Sequence, residues 1–145
     1  MSVEQVARDF VSHMNDAERM KSMVTADAMA SGGVLPHPIP VMEAMKVMAG
    51  LTTAFPDLKF DVQQVKVNGN QATVHALWSG KNTGPLNLPM PGMPMIPVTG
   101  KHVSVKDTYI LTVEGDKVSH MQVDSPPDGG IPAALAQLGV NMPNM

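Results

Sequence analysis

The residues best suited to proton transfer in this sequence are two aspartates and a histidine, Asp107, His120 and Asp124. All three fall in a segment where apolar and polar residues alternate, which is the pattern of a strand with one face buried. Asp107 occupies one of the apolar positions of that pattern. Burying a carboxylate without a partner is costly, so such a position usually lines a cavity or a site with a perturbed pKa.

A predicted β-hairpin would bring these side chains together on one face. Residues 115–116, Gly-Asp, suit a two-residue turn, and the resulting register pairs Asp107 with Asp124. The same register gives the pairs Val113–Val118, Leu111–His120 and Tyr109–Gln122. A three-residue turn over 114–116 is the alternative. It would shift every pair by one and place Asp124 opposite Lys106 on the solvent-exposed face.

Four further residues are predicted to line a ligand site beside these groups: Trp78, Tyr109, His75 and Gln122. The chain has one tryptophan and one tyrosine, and each combines a large apolar area with one polar group. The other two are polar residues on predicted strands. Core packing would also explain the aromatic residues, and a position on a strand surface would explain His120 in the same way.

The composition indicates a globular protein and argues against several kinds of partner. The 145 residues are 43% hydrophobic and 16% charged, which suits one domain with its own core. A formal net charge of −3 without a basic run argues against nucleic acid as a main partner. The five histidines lack the spacing of a ligand set, so we expect no dedicated metal site.

Two further features of the sequence concern its location. It has no cysteine, which excludes disulfides and thiolate sites and fits a reducing cytoplasm. Its first residues lack a charged-then-apolar leader, and no apolar run is long enough to cross a bilayer. We therefore expect a cytoplasmic protein without a membrane partner.

The predicted elements run from helices to antiparallel strands, which indicates an α+β fold with helices on one face of a curved sheet. Capping residues and apolar spacing predict a helix to about Asn15, a helix capped by Asp16, and a helix ending before Phe55. Alternation around the turn pair Asn68-Gly69 predicts strands at 58–67 and 71–80. Two less regular segments are predicted as an irregular strand over 26–33 and a short helix over 132–138.

Apolar residues fall on both faces of the predicted strands at 58–67 and 71–80. The members of one face are Val74, Ala76 and Trp78, and those of the other are Leu77 and Phe60. A sheet that is apolar on both sides needs cover on both sides, and the helices can cover only one. We therefore predict a homodimer that buries the second face.

The loop from Pro85 to Pro97 is rich in proline and methionine. Proline lacks a backbone donor, so the loop cannot extend the sheet by regular pairing. It also has more apolar side chains than an exposed loop should carry, Met93 and Met95 among them. We expect it to lie against the partner subunit or, alternatively, against the mouth of a pocket.

Five short motifs occur in a recognisable order: AFPDL at 54–58, GNQA at 69–72, GKNTG at 80–84, TGK at 99–101 and AQLG at 136–139. In these motifs the chain resembles the SnoaL-like (polyketide cyclase or ester cyclase) branch of the NTF2-like superfamily. The resemblance spans about the whole chain. It implies a single domain over residues 1–145, built as an α+β cone with three N-terminal helices on a curved antiparallel sheet and a pocket between them.

The resemblance also implies an activity. Cyclases of this family close a polyketide ester by an intramolecular aldol reaction, in which an Asp on the last strand acts as acid and base. Asp124 is the best match to that position, and we assign it as the catalytic base, helped by His120 and Asp107. We expect no cofactor, and a small apolar carbonyl compound or ester as substrate. The alternative is a non-catalytic module of the same fold that binds a small ligand or serves dimerisation.

Overall fold

The computed structural model describes residues 2–14, 16–32, 37–86, 95–125 and 129–139. Its helices are α1 (Val3–Ser12), α2 (Ala17–Met23), α3 (Val41–Ala54) and α4 (Gly130–Gln137). Its strands are β1 (Val24–Gly32), β2 (Ile39–Pro40), β3 (Lys59–Asn68), β4 (Gln71–Lys81), β5 (His102–Glu114) and β6 (Lys117–Val123). This order confirms the predicted α+β fold class.

The strands form one curved six-stranded sheet in the order β2-β1-β6-β5-β4-β3. Neighbouring strands are antiparallel except for β1 and β6, which run parallel. The irregular strand predicted over 26–33 is therefore β1, and its register with β6 shifts between Val24 and Met29. This parallel pairing was not predicted, because parallel partners are distant in sequence and share no turn.

Helix α1 lies across one face of the sheet, which we call the inner face. The stripe that it buries at helical spacing consists of Val6, Ala7, Phe10 and Val11. The predicted capping box starts this helix: Ser2 Oγ accepts from the Gln5 amide at 3.1 Å, and Gln5 Oε1 accepts from the Ser2 amide at 3.0 Å. The opposite side of the sheet is called the outer face below.

The hairpin of β3 and β4 contains a β-bulge that changes the face of one aromatic residue. Pairing begins with Asn68 opposite Gln71, and the register shifts by one between Val62 and Gln64. Phe60 consequently pairs with Trp78, and both side chains are buried on the inner face. The prediction that Phe60 shares the outer face with Leu77 is therefore wrong, since a bulge adds one unpaired residue to its strand.

Asn82 joins three of the motif segments at the end of α3. Its side chain is fully buried, and Nδ2 donates to the carbonyl oxygens of Ala54 at 3.3 Å and Gly84 at 2.8 Å. Its Oδ1 accepts from both the amide and the hydroxyl of Thr99 at 2.7 Å. A side chain at Gly84 would collide with the carbonyl oxygen of Thr53, so this close approach requires glycine.

Two other motif residues also make structural hydrogen bonds. Asp57 Oδ1 accepts from the amide of Lys81 at 2.8 Å, which ties the start of β3 to the end of β4. Gln137 of α4 bonds the backbone of Ser104 twice, accepting from its amide at 3.0 Å and donating to its carbonyl at 2.9 Å. These motif residues therefore stabilise the packing of the sheet and helices, and the candidate catalytic residues lie elsewhere in the sheet.

The described part of the loop from Pro85 to Pro97 consists of its two ends. Leu86 and Ile96 are buried and form an isolated antiparallel bridge, with both N–O distances 2.8 Å. Met95 is exposed. Residues 87–94, including Met93, lie outside the described residues, so the packing of this loop stays a prediction.

Candidate active site

Among the residues that the structure describes, Asp107 is the one charged side chain that is buried, with 6% exposure. It lies near the middle of β5, between the buried residues Val105 and Tyr109 of the same face. Across the sheet it pairs with Ala76 of β4. Because side chains alternate along β5, the carboxylate of Asp107 points toward the apolar inner face, as the sequence pattern predicted.

The two carboxylate oxygens of Asp107 have unequal partners. Oδ1 accepts from the hydroxyl of Ser125 at 2.7 Å and from the backbone amide of Thr108 at 3.1 Å. Oδ2 accepts a long hydrogen bond from the hydroxyl of Tyr109 at 3.4 Å, and the side chain of Trp78 is a further hydrogen-bond donor to the carboxylate. Oδ1 thus accepts the two shorter bonds, from Ser125 and Thr108, and Oδ2 is the oxygen beside the Tyr109 hydroxyl.

The surroundings of Asp107 change its proton affinity. Burial raises the pKa of Asp107 above its usual value, and the hydrogen bond from Ser125 is the largest of several contacts that lower it again. Burial and the neighbouring Asp107 carboxylate raise the pKa of Tyr109 well above its usual value. Tyr109 therefore stays protonated at physiological pH and can act as a hydrogen-bond donor.

The two aromatic residues of the predicted ligand set, Trp78 and Tyr109, lie on the inner face near Asp107. Both are almost completely buried. Trp78 also packs edge-to-face against Phe55, with ring centroids 6.3 Å apart and an interplanar angle of 68°. Together these rings form an apolar wall beside the carboxylate.

The turn of the β5–β6 hairpin forms as predicted, but a bulge follows it. Gly115 has a φ of 63°, and the first pairs are Glu114–Lys117 and Val113–Val118. The register then shifts by one, because Ser119 is an extra residue outside the strand pairing. Its hydroxyl donates to the carbonyl of Thr112 at 3.3 Å. The three-residue turn is therefore excluded, and the bulge causes the one-residue shift in its place.

This shift separates residues that were predicted to share one face. The observed pairs beyond the bulge are Thr112–His120, Leu111–Met121 and Tyr109–Val123. The predicted pairs Leu111–His120, Tyr109–Gln122 and Asp107–Asp124 are therefore wrong. Since a one-residue shift sends each later side chain to the other face, His120, Gln122 and Asp124 lie on the outer face.

The residues on the outer face make contacts of their own. His120 is half-buried, and its Nε2 lies 3.1 Å from Ser31 Oγ on β1. His75 is also half-buried, and its Nδ1 lies 3.1 Å from Thr108 Oγ1 on β5. Gln122 is exposed. The structure thus brings Asp107, Tyr109 and Trp78 together on one face and the other four predicted site residues on the opposite face.

Ser125 occupies the inner-face position that was predicted for Asp124. Asp124 is exposed, and its amide donates to the carbonyl of Thr108 at 2.8 Å. The next residue, Ser125, therefore reaches Asp107 from the end of β6. Sequence reasoning missed Ser125, because the only signal for its position is a bulge that the alternation pattern does not mark.

The described residues contain neither a metal-binding cluster nor a membrane-spanning helix. Within these residues no group of three or more His, Cys, Asp and Glu side chains could hold a metal ion. None of the helices in the described part of the chain is long and apolar enough to cross a membrane.

Comparison with protein families gives a match over nearly all of this architecture. The model of the SnoaL-like polyketide cyclase family matches residues 3–123, from the first residue of α1 to the last of β6. The chain belongs to this family. Asp124 and Ser125 fall just beyond the matched segment of this SnoaL-like protein.

Solved structures share the fold of this SnoaL-like protein at low sequence identity. AclR from Streptomyces galilaeus has a TM-score of 0.75 and 18% identity, covering 94% of this chain and 80% of that chain. IdmH from Streptomyces antibioticus has a TM-score of 0.73 and 19% identity, covering 97% of this chain and 100% of that one. A SnoaL-like polyketide cyclase from Agrobacterium tumefaciens has a TM-score of 0.66 and 10% identity, covering 94% and 97%. A search of curated proteins found no match.

Proposed function

We propose that this SnoaL-like protein is a cofactor-independent enzyme that moves a proton next to a carbonyl group and so cyclises or isomerises its substrate. The substrate would be a small, largely apolar ketone or ester. The observation that carries the proposal is the carboxylate of Asp107, buried on the apolar inner face beside Tyr109 and Trp78. A desolvated carboxylate is a stronger base than one in water, and its pKa lies closer to neutral pH.

In the proposed reaction, Oδ2 of Asp107 takes the proton from the carbon next to the carbonyl group. The C–H electron pair then forms the new C=C bond, the carbonyl π pair moves to oxygen, and an enolate results. The protonated hydroxyl of Tyr109 donates a hydrogen bond to that oxygen, where negative charge develops. Trp78 supplies the apolar surface against which the substrate lies.

Either of two final steps regenerates the carboxylate of Asp107. Return of the proton from Asp107 to a different carbon of the conjugated system completes an isomerisation. Attack of the enolate carbon on a second carbonyl group forms a C–C bond, and the oxygen of that group then takes the proton from Asp107, which completes an aldol ring closure. Neither route consumes an oxidant or a reductant.

The proposal changes the roles assigned from the sequence. It moves the base from Asp124, the residue after β6, to Asp107 on β5, because Asp107 and not Asp124 faces the apolar side of the sheet. His120, His75 and Gln122 take no part in proton transfer, since they lie on the outer face. Tyr109 and Trp78 keep their predicted place at the ligand.

Hydrogen–deuterium exchange tests the proposal without knowledge of the natural substrate. The protein is incubated in D₂O with a panel of cyclic ketones and β-keto esters, and loss of the α-proton is followed by NMR. We expect Asp107→Asn to lower the catalysed exchange rate by about 10²- to 10⁴-fold. The matched control, Asp124→Asn, should stay within about twofold of the wild type. Loss of exchange in Asp124→Asn alone would assign the base to Asp124 and overturn the proposal.

A non-catalytic ligand-binding module is the second candidate function. One observation favours it: Asp107 and Asp124 lie on opposite faces, so these two carboxylates do not share the inner face and cannot raise one another's pKa by repulsion there. In that case, apolar carbonyl compounds should bind and quench Trp78 fluorescence. Their α-protons would nevertheless exchange no faster than in buffer.

We also propose that the protein forms a homodimer through its outer face. Leu77, Ile110 and Met29 lie half-buried there, on three different strands. Ile110 pairs with Thr73, whereas Leu77 lies between the charged, exposed residues Asp61 and Lys106. The inner face is already covered by α1. A second copy of the chain would remove the apolar residues of the outer face from water.

A further inference from the structure

Ser125 lies just beyond the end of β6, opposite Asp107. Ser125 is half-buried, and its hydroxyl lies 2.7 Å from Oδ1 of the carboxylate. That is the usual length of an O–H···O hydrogen bond to a charged oxygen. The contact joins residues 18 positions apart, so it depends on the tertiary fold.

The two carboxylate oxygens of Asp107 differ in the hydrogen bonds that they accept. Oδ1 accepts both the Ser125 hydroxyl and the Thr108 amide, whereas Tyr109 lies 3.4 Å from Oδ2, beyond the usual range for an O–H donor. Two donors on one oxygen fix the plane of the carboxyl group. Oδ2 lacks the two short bonds of Oδ1, and it is the oxygen beside the hydroxyl of Tyr109.

We propose that Ser125 is a positioning residue of this site: it holds Oδ1 of Asp107 and so makes Oδ2, next to Tyr109, the oxygen that exchanges the proton with the substrate. This inference rests on the proposed function. Ser125 itself touches no reacting atom. Its hydroxyl stabilises the carboxylate form of Asp107, and its bond keeps Oδ2 and the Tyr109 hydroxyl side by side, as a base and a donor aimed at one carbonyl compound.

A purely structural role predicts something different. If Ser125 only satisfies a buried carboxyl group at a strand end, then its removal should lower stability alone. If it positions and stabilises the carboxylate, its removal should also move the titration of Asp107. The proton affinity of Asp107 is therefore the deciding measurement.

The experiment is a pH titration of the Asp107 carboxyl carbon by NMR, with ¹³C-labelled aspartate and Asp107→Asn to assign the signal. We expect Ser125→Ala to shift the Asp107 midpoint upward by about one pH unit, because a hydrogen bond to the charged form is lost. Ser119→Ala is the matched control. It also removes a half-buried serine hydroxyl of the β6 segment that bonds β5, yet it lies away from Asp107 and should leave the midpoint unchanged.

A second pair of variants covers the case in which Ser125→Ala does not fold. Ser125→Thr and Ser125→Val have almost the same shape and differ in the hydroxyl, so threonine should keep the wild-type midpoint and valine should raise it. Equal midpoints in both, or an unchanged midpoint in Ser125→Ala, would overturn the role of Ser125. That result is separate from the proposed function, which fails only if Asp107→Asn keeps the wild-type exchange rate.

Discussion

The side chains of Asp107 and Asp124 point to opposite faces of the sheet, although they sit on consecutive segments of one hairpin. The amide of Asp124 donates to the carbonyl of Thr108 at 2.8 Å, and Thr108 is the residue after Asp107. Because neighbouring residues of a strand alternate between faces, one carboxylate is buried and the other is exposed. Asp107 and Asp124 thus lie in contrasting surroundings, and each serves as a control for the other.

The rate of the proposed reaction should depend on pH through Asp107. Burial raises the pKa of Asp107, so its base form is lost at a higher pH than for an ordinary aspartate. We expect the exchange rate to rise with pH along an acidic limb whose midpoint lies above the usual value of about 4, and then to level off. Asp124→Asn should keep the same limb. A rate that stays level down to pH 4 would contradict the assignment of Asp107.

The free energy of unfolding should also depend on pH through Asp107. The raised pKa means that the folded state holds this proton more tightly than the unfolded state, so stability falls as pH rises through that range. Below the usual aspartate pKa both states are protonated and the penalty is absent. The free energy of unfolding of Asp107→Asn, minus that of the wild type, should therefore increase from pH 4 to pH 7 in urea titrations. A difference independent of pH would contradict this prediction.

Asn82 should be among the most sensitive positions for stability. Replacing it with alanine removes four hydrogen bonds and leaves the buried backbone groups of Ala54, Gly84 and Thr99 with fewer partners. We expect a loss of about 3 kcal/mol in the free energy of unfolding, measured by urea denaturation. Gln63→Ala is the control: it also loses side-chain amide bonds, but on an exposed residue, and should cost under about 0.5 kcal/mol. A loss below about 1 kcal/mol for Asn82→Ala would refute its structural role.

The homodimer can be tested with a charge at the centre of the outer face. Ile110 is half-buried there, between Thr73 and Gln122 on the neighbouring strands. Burying a lysine without a partner is costly, so Ile110→Lys should weaken dimerisation by about 100-fold or more. Light scattering across a range of concentrations measures this, and Met42→Lys, at an exposed position on α3, should stay dimeric. A monomeric mass for the wild type at every concentration would refute the dimer.

Most of the fold was predictable because its signals are local. The capping box at Ser2 and the cap at Asp16 mark their helix starts within a few residues. The turns at Gly69 and Gly115 need positive φ and have it, at 64° and 63°. The burial of Asp107 was also predictable, since it falls in the apolar set of one strand. Each of these features depends only on residues that are close to one another in the sequence.

What the sequence alone determined is therefore the order of elements, the family and the buried carboxylate of Asp107. The tertiary structure decided which residues join it. Single-residue bulges in β3 and β6 moved Phe60 to the inner face, and moved His120 and Asp124 to the outer one. A bulge adds one residue without disturbing the alternation on either side of it, so the sequence pattern does not mark it. In β6, the shifted register against β5 brings Ser125 rather than Asp124 to the candidate base.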